Sequence, residues 1–401
     1  MNLNKIEQNI LNLLILICSI FFLYISQNNY YGSDHDTFSQ VDTFIRIIEE
    51  GKYYRSRTFG FPVSEILLGG SIFFLGDKIT SLIIAIIFSL SIIIFFIAFK
   101  KIEKNNLNFK IFILLCFTNP ILVFDNLNII DYPISLFFFS LGCFFSVKKE
   151  YILMSIFFGI CLGCRINFAL FIIIYLVFYQ KIQYQILFKN LFLIFFIGGL
   201  FYLPFLISIN FSYNSFNEIK TLGGIRFDHS ANLELGFAQI SRFFYKIIFS
   251  FGLIPALVIM WISFKLFKDN EFQKIFRYKT EIIIILSNLL LFFLLPTKTA
   301  IISIVTIFVY LIITELSKKE YLYIIILFNI ISFFISMNFI NINYRYSDPC
   351  KPKQAMNAKI QFYFDEGHIK KYLNKSYNNM KCSVIELPFN YGSKFLIKKN
   401  N

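Results

Sequence analysis

Long apolar runs, separated by short polar connections, constrain the fold of this chain more than any other feature. Hydrophobic residues make up 57% of its 401 residues and charged residues only 15%, a balance typical of polytopic membrane proteins and unlike that of soluble domains. We therefore predict an all-α polytopic membrane protein with a transmembrane domain at 1–340. Eleven runs are predicted to cross the membrane: 10–27, 78–99, 111–124, 132–147, 151–164, 166–179, 190–208, 243–264, 281–295, 300–314 and 321–340.

Charge in the connections predicts an orientation. The formal net charge of +14 is compatible with nucleic-acid binding when it is considered alone. Lys-rich connections explain it better, because positive charge stays on the cytoplasmic side of membrane proteins, and we expect no nucleic-acid partner. The connections assigned to the cytoplasm are 100–110, 148–150, 180–189, 265–279 and 315–320.

The apolar run 61–76 is assigned to the membrane interface rather than to a crossing. If it crossed, the connection 100–110 would lie outside the cytoplasm, against the charge rule. The run is also short, and it carries Glu65 and the pair Gly69-Gly70. We predict an interfacial or re-entrant element.

The polar tail, 341–401, is predicted to form a small extracytoplasmic α/β appendage. Apolar residues alternate around 360–364 and 384–387, as they do in strands, and a helix is expected near 367–377. 

Cysteines are assigned no metal site. Cys161 and Cys164 form a CxxC motif within an apolar run that lacks other ligands. Cys350 and Cys382 lie in the tail, and they would pair there if the tail faces an oxidising compartment.

The first outer loop, 28–60, holds the densest cluster of charge next to the membrane. It begins with Asp34, His35 and Asp36 and continues as a predicted amphipathic helix over 37–50, which Gly51 ends. The apolar face of this helix consists of Phe38, Val41, Ile45 and Ile48. Such a helix is expected to lie flat on the membrane, with its N-terminal amides favouring an anion near Asp36.

Cations and aromatic residues follow this helix. Lys52, Arg55 and Arg57 lie among tyrosines and phenylalanines, a combination that suits a lipid phosphate headgroup. Two simpler interpretations stay open: Asp36 serves only as the helix N-cap, and the cations only snorkel to the headgroups.

The order of these features resembles the GT-C superfamily of membrane glycosyltransferases, which includes protein mannosyltransferases, the lipid A aminoarabinose transferase and the catalytic subunit of oligosaccharyltransferase. Its members share one span, an outer loop opening on an acidic motif, an amphipathic helix, and an Arg/Pro-containing segment leading into a second apolar helix. Asp34-His35-Asp36, the helix 37–50 and Arg55-Ser56-Arg57-Thr58-Phe59-Gly60-Phe61-Pro62 match that order. The usual Pro-Pro is replaced here by Phe59-Gly60-Phe61-Pro62, and the resemblance covers the layout of roughly residues 1–340.

Three later positions resemble features of bacterial members. Asp131 lies in the second outer loop before a Phe-rich span, Arg165 lies where the fifth and sixth spans meet, and Lys298 lies in a late outer turn. Ordinary alternatives stay open, in which Asp131 caps the helix beginning at Tyr132-Pro133 and Arg165 snorkels.

The resemblance implies an inverting glycosyltransferase, a hexosyl or pentosyl transferase of the cell envelope. It would move a sugar from a polyprenyl-phosphate donor to a glycan, lipid or protein acceptor on the outer face of the membrane, in bacteria the periplasmic face of the inner membrane. Asp34 or Asp36 would act as general base or hold a divalent metal, Mg or Mn, on the phosphate, and Asp131 would be a second acid. The residues implied in substrate or phosphate binding are His35, Arg55, Arg57, Arg165 and Lys298.

Other functions stay open at this point. A transporter or flippase for lipid-linked glycans would bury charges within its spans and use broken helices. An O-antigen-type polymerase or ligase would place its site in a late loop such as 210–242, where Arg226, Asp228 and His229 follow a Gly-Gly pair.

Overall fold

The structure, a computed structural model, is a bundle of helices. It describes residues 3–28, 36–56, 60–99, 106–179, 184–208, 237–268, 275–294, 299–339 and 360–362. The helices are α1 (Leu3–Asn28), α2 (Asp36–Glu50), α3 (Pro62–Leu75), α4 (Asp77–Phe99), α5 (Asn106–Thr118), α6 (Pro120–Leu127), α7 (Asp131–Val147), α8 (Tyr151–Cys164), α9 (Phe168–Ile174), α10 (Tyr184–Ser208), α11 (Phe237–Phe251), α12 (Leu253–Lys268), α13 (Lys279–Leu294), α14 (Ser303–Leu316) and α15 (Lys319–Ser336). A π-helical turn (Tyr175–Tyr179) follows α9, and 3-10 turns at Phe276–Tyr278 and Thr299–Ile302 precede α13 and α14.

The helical fold confirms the predicted all-α class, and several of the helices are long and apolar, as a membrane protein requires. Within the described residues, three helices can cross a membrane alone by length and composition: Ile6–Gln27, Lys78–Phe99 and Tyr184–Ile207. Counting the bent pair α5–α6 as one span gives four. Shorter apolar helices pack around them, and the count of eleven crossings stays a prediction.

Two of the predicted spans are broken, so their continuity was predicted wrongly. The run 111–124 bends by 75° between α5 and α6, because Pro120 begins a new helix and the Asn119 side chain caps it, accepting from the Leu122 amide at 2.7 Å. The run 243–264 divides at Gly252, whose φ of +83° ends α11. Hydropathy detects an apolar run but not a cap within it.

An aromatic core joins the helices. Side-by-side contacts connect α4 to α7, α7 to α8 and α8 to α10, while α1, α5 and α15 pack on the other flank. Phe95, Phe99 and Phe308 are fully buried where α4 meets α14, with ring centroids 4.6–5.0 Å apart. Such aromatic packing fixes the helix positions closely.

Contacts bring several Lys-rich connections to one end of the bundle. Lys319 Nζ lies 3.7 Å from a Glu7 carboxylate oxygen, and Tyr278 Oη donates to Glu315. Asn108 Nδ2 donates to the Thr314 carbonyl at 3.3 Å. These contacts involve three of the five connections assigned to the cytoplasm, 100–110, 265–279 and 315–320, and the cytoplasmic assignment itself stays a prediction.

At the end of the bundle opposite these Lys-rich connections, the chain leaves the bundle after α1 and returns to it at α4. Gln27 Nε2 donates to the Lys78 carbonyl at 3.3 Å, which places the end of α1 beside the start of α4. The intervening α2 and α3 therefore form an excursion at this end. With 14 residues, α3 is roughly 21 Å long, shorter than a membrane core of about 30 Å.

Helix α2 is amphipathic, as predicted. Val41 and Ile45 of its predicted apolar face are buried, together with Phe44, whereas Ile48 is 54% exposed at the edge of that face. The face packs on α3 rather than lying only on lipid, because Gly69 and Gly70 admit Phe44 to close contact. Gly51 ends the helix with φ +64°, as predicted.

The tail lies mostly outside the described residues. Ile360–Phe362 pairs antiparallel with Met337–Phe339, in a ladder of two short strands. The rest of the predicted appendage, including its helix, Cys350 and Cys382, lies outside the described part of the chain, as does the loop segment with Arg226, Asp228 and His229.

Candidate functional site

The structure brings two of the predicted site residues into direct contact, Asp131 and Arg165. Arg55 is also described. Asp36 begins α2, but its side chain is not described, so its role as a cap stays a prediction. The predicted residues that lie outside the described part of the chain are Asp34, His35, Arg57 and Lys298.

Asp131 and Arg165 form a buried ion pair. Asp131 is the first residue of α7, and Arg165 occupies the break between α8 and α9 in an extended conformation (φ −156°, ψ 109°). Arg165 Nη1 lies 2.5 Å from Asp131 Oδ2. Asp131 is fully buried and Arg165 is 7% exposed, so each charge depends on its partner for compensation.

Two aromatic rings flank the guanidinium of Arg165. Its Cζ lies 3.7 Å from the centroid of the Tyr132 ring and 5.5 Å from that of Phe61. Planar guanidinium groups stack favourably on aromatic faces. The cation is therefore held in a defined position by a carboxylate and two rings, from α7 and from the residue preceding α3.

This geometry replaces both ordinary interpretations of the pair. The N-cap of α7 is Ile130, and no side chain caps the helix there, since the Asp131 carboxylate instead contacts Arg165. Arg165 does not snorkel, because its guanidinium is buried between protein groups. Neither outcome was predicted from the sequence, where 34 residues separate the partners.

Helices α3, α8 and α10 pack closely next to the Asp131–Arg165 pair. Gly163, two residues before Arg165, faces Val63 and Phe201, and a Cβ added there would approach Phe201 Cβ to 3.0 Å and overlap Val63. A glycine at this position lets α3, α8 and α10 converge beside the ion pair.

A second buried carboxylate anchors the turn that follows α2. Glu65 is fully buried, and it accepts hydrogen bonds from the Ser56 amide (3.0 Å), the Ser56 hydroxyl and the Tyr53 hydroxyl. Burial, together with this carboxylate, raises the pKa of Tyr53, so the phenol stays protonated and donating. The sequence showed Glu65 only as a charge in an apolar run, and its anchoring role was missed.

Arg55 lies within this anchored turn, directly before Ser56. Its Cζ lies 5.8 Å from the centroid of the Phe205 ring, near the end of α10. Arg55 thus lies at the same end of the bundle as Phe61 and Arg165, although no contact between the two arginines is described, and its role in phosphate binding stays a prediction.

A cavity of about 340 Å³ lies next to the ion pair, within the roughly 300–1,000 Å³ range of small-molecule sites. Tyr132 and Arg165 form part of its wall. The remaining polar wall residues are Asn126, Asn167, Asn288 and Ser303, and the apolar ones are Leu136, Ile166, Phe168, Ala169, Leu170, Phe171, Leu291, Ile301 and Ile304. The cavity is thus mostly apolar, with a few convergent polar groups.

The described residues contain no cluster of three or more His, Cys, Asp or Glu side chains arranged for a metal ion. The predicted ligands Asp34 and Asp36 are not covered by that statement, so the divalent metal stays a prediction. Cys161 Sγ contacts the Ser135 carbonyl oxygen at 3.3 Å within the core, which is a packing role.

Comparison of the chain with protein-family models, curated proteins and solved structures gives no match. What the fold and the site define is a class: a helical protein with several apolar helices of membrane-spanning length and a buried ion pair beside a cavity.

Proposed function

We propose that this chain is an inverting membrane glycosyltransferase of the GT-C type, which uses a polyprenyl-phosphate sugar as donor. The observation that carries the proposal is Arg165 in the wall of the cavity, fixed by Asp131, Tyr132 and Phe61. The acceptor is a glycan, lipid or protein at the same face of the membrane.

Membrane orientation follows from the charge of the two ends. The Lys-rich end is cytoplasmic by the positive-inside rule, so the site faces outward, toward the periplasm in a bacterial inner membrane. At that face, the turn that contains Arg55 and the start of α3 lies where a lipid phosphate would sit. The count of eleven crossings belongs to this proposal.

Cations and carboxylates have separate roles in the proposed reaction. Negative charge develops on the departing phosphate, and preorganised donors of this kind contribute about 10²–10³-fold in rate. Arg165 has five N–H donors, one of which engages Asp131, and Arg55, Arg57 and Lys298 supply further positive charge. Asp34 or Asp36 removes the acceptor proton as general base, a role worth about 10²–10⁴-fold.

The test is a transfer assay in proteoliposomes. The purified protein receives a panel of polyprenyl-phosphate sugars and lipid, glycan and peptide acceptors, and products are identified by mass spectrometry. We expect one donor to give a glycosylated product, and Asp34→Asn combined with Asp36→Asn to abolish it without loss of membrane insertion. Full activity of that double variant would remove the assigned base.

A transporter of lipid-linked glycans is the second candidate, and one observation favours it. The 75° break at Asn119–Pro120, together with a buried ion pair, is the kind of feature that transporters use. Movement of an unmodified fluorescent glycolipid between leaflets, without any new glycosidic bond, would support this candidate over the transferase.

A further inference from the structure

Two buried asparagine oxygens in the cavity wall have no hydrogen-bond partner within the described structure. They are Asn126 Oδ1 and Asn288 Oδ1, on residues that are only 1% and 2% exposed. Buried polar atoms are nearly always paired in folded proteins, and leaving one unpaired costs roughly 1–3 kcal/mol. Both residues line the same cavity, which makes a species bound there the candidate partner for both oxygens.

The orientation of Asn126 is set by its own amide nitrogen. Nδ2 donates to the Leu122 carbonyl at 2.8 Å and lies 3.4 Å from Ser303 Oγ. Its carbonyl oxygen is therefore the atom left without a partner. A ligand must bring hydrogen-bond donors, because a carbonyl oxygen can only accept.

The rest of the wall narrows the ligand class further. Most wall residues are apolar or aromatic, among them Phe168, Phe171 and Leu291, so a ligand must also present an apolar face. Arg165 supplies positive charge at one side. At about 340 Å³, the space is within the range of small-molecule sites and can hold a compact ring with hydroxyl groups.

We propose that this cavity binds the sugar unit of the glycolipid substrate. Asn126 and Asn288 accept hydrogen bonds from sugar hydroxyl groups, the C–H face of the ring packs on the apolar wall, and the linked phosphate lies toward Arg165. The identity of the ligand, including its hydroxyl groups, rests on the proposed function, whereas the requirement for hydrogen-bond donors rests on the two oxygens alone.

A binding experiment on the full-length protein in detergent tests this proposal. The probes are polyprenyl phosphates carrying glucose, mannose, galactose or N-acetylglucosamine, together with the same lipid without a sugar. We expect at least one glycosylated lipid to bind more tightly than the sugar-free lipid. Asn288→Leu or Asn126→Leu should reduce that sugar-dependent gain by roughly fivefold each, the equivalent of one hydrogen bond.

A matched control is available on α10. Asn190 is also buried, at 5% exposure, and its Nδ2 also has no described partner, but it does not line the cavity. Asn190→Leu should leave the sugar-dependent gain unchanged. Asn288→Leu should keep or raise the unfolding temperature, because it removes an unpaired buried acceptor; this variant decides the case if Asn126→Leu fails to fold.

Equal binding of glycosylated and sugar-free lipids by the wild type would overturn the proposal, as would an unchanged gain in Asn288→Leu. The transferase proposal fails separately: a sugar-dependent, asparagine-dependent gain without any transferred product would leave the binding site in place and remove the enzyme.

Discussion

Close packing of α2 on α3 gives a prediction whose size follows directly from the structure. A Cβ added to Gly69 would lie 2.6 Å from Phe44 Cβ and 2.7 Å from the Gln40 carbonyl oxygen. Carbon atoms pack at about 3.5–4.0 Å, so Gly69→Ala must move α2 away by roughly 1 Å. Overpacking of this kind costs about 1–3 kcal/mol.

The matched control is Gly199→Ala on α10, where nothing lies within 4 Å of an added Cβ. Both substitutions gain the same helix propensity, about 1 kcal/mol, so their difference isolates the packing cost. Unfolding in mixed micelles, followed by circular dichroism, should show Gly69→Ala less stable than Gly199→Ala by about 1–3 kcal/mol.

Gly70 adds a test of the detailed contact. A Cβ there would meet only the tip of the Phe44 ring, at 3.1 and 3.2 Å. Phe44→Leu should therefore relieve the defect of Gly70→Ala but not that of Gly69→Ala, whose contacts are to Cβ and backbone. The packing of α2 on α3 would be refuted if Gly69→Ala and Gly199→Ala unfolded within about 0.5 kcal/mol of each other.

Three further predictions concern the anchored turn, its neighbouring helix and the topology. Glu65→Gln should lower the free energy of unfolding by about 1.5–3 kcal/mol, because Tyr53 and Ser56 lose a charged acceptor, and an unchanged value would contradict the anchor. In α2, burial raises the pKa of Asp42 above 3.8 despite Arg46 at 3.1 Å. The raised pKa means that ionised Asp42 destabilises the fold at neutral pH, so Asp42→Asn should be more stable there, with an advantage that shrinks as the pH falls through that pKa; a constant advantage would argue against the shift. A reporter fused after Lys104 should give a cytoplasmic signal, and an exterior signal would reverse the proposed orientation.

Features that depend on residues close together in the sequence could be predicted, whereas contacts between residues far apart in the sequence could not. The amphipathic α2 and its end at Gly51 were predicted because their signals are local, a 3.6-residue period and a glycine. The breaks at Asn119–Pro120 and Gly252 were missed, since a cap within an apolar run leaves hydropathy unchanged. 

The candidate site shows the same limit. Asp131 and Arg165 were each named for other reasons, but their pairing depends on how α7 and α8 meet. Tyr132, Phe61 and Glu65 owe their roles to contacts between separate elements. Asn288 did carry a usable signal, as a polar residue inside the predicted span 281–295, whereas Asn126 lies between the predicted spans 111–124 and 132–147 and carried none.

The central claim is that the Asp131–Arg165 pair works in the transfer reaction and does more than support the fold. Removing one partner leaves a buried charge uncompensated, at a cost of about 3–5 kcal/mol, whereas replacing both with apolar residues of similar size is often neutral or stabilising. The direct measurement is therefore the transfer rate of a folded Asp131→Leu/Arg165→Met double variant with the best donor of the panel. We predict a protein with wild-type unfolding behaviour and a transfer rate at least about 10²-fold lower. A folded double variant with the wild-type rate would contradict the account.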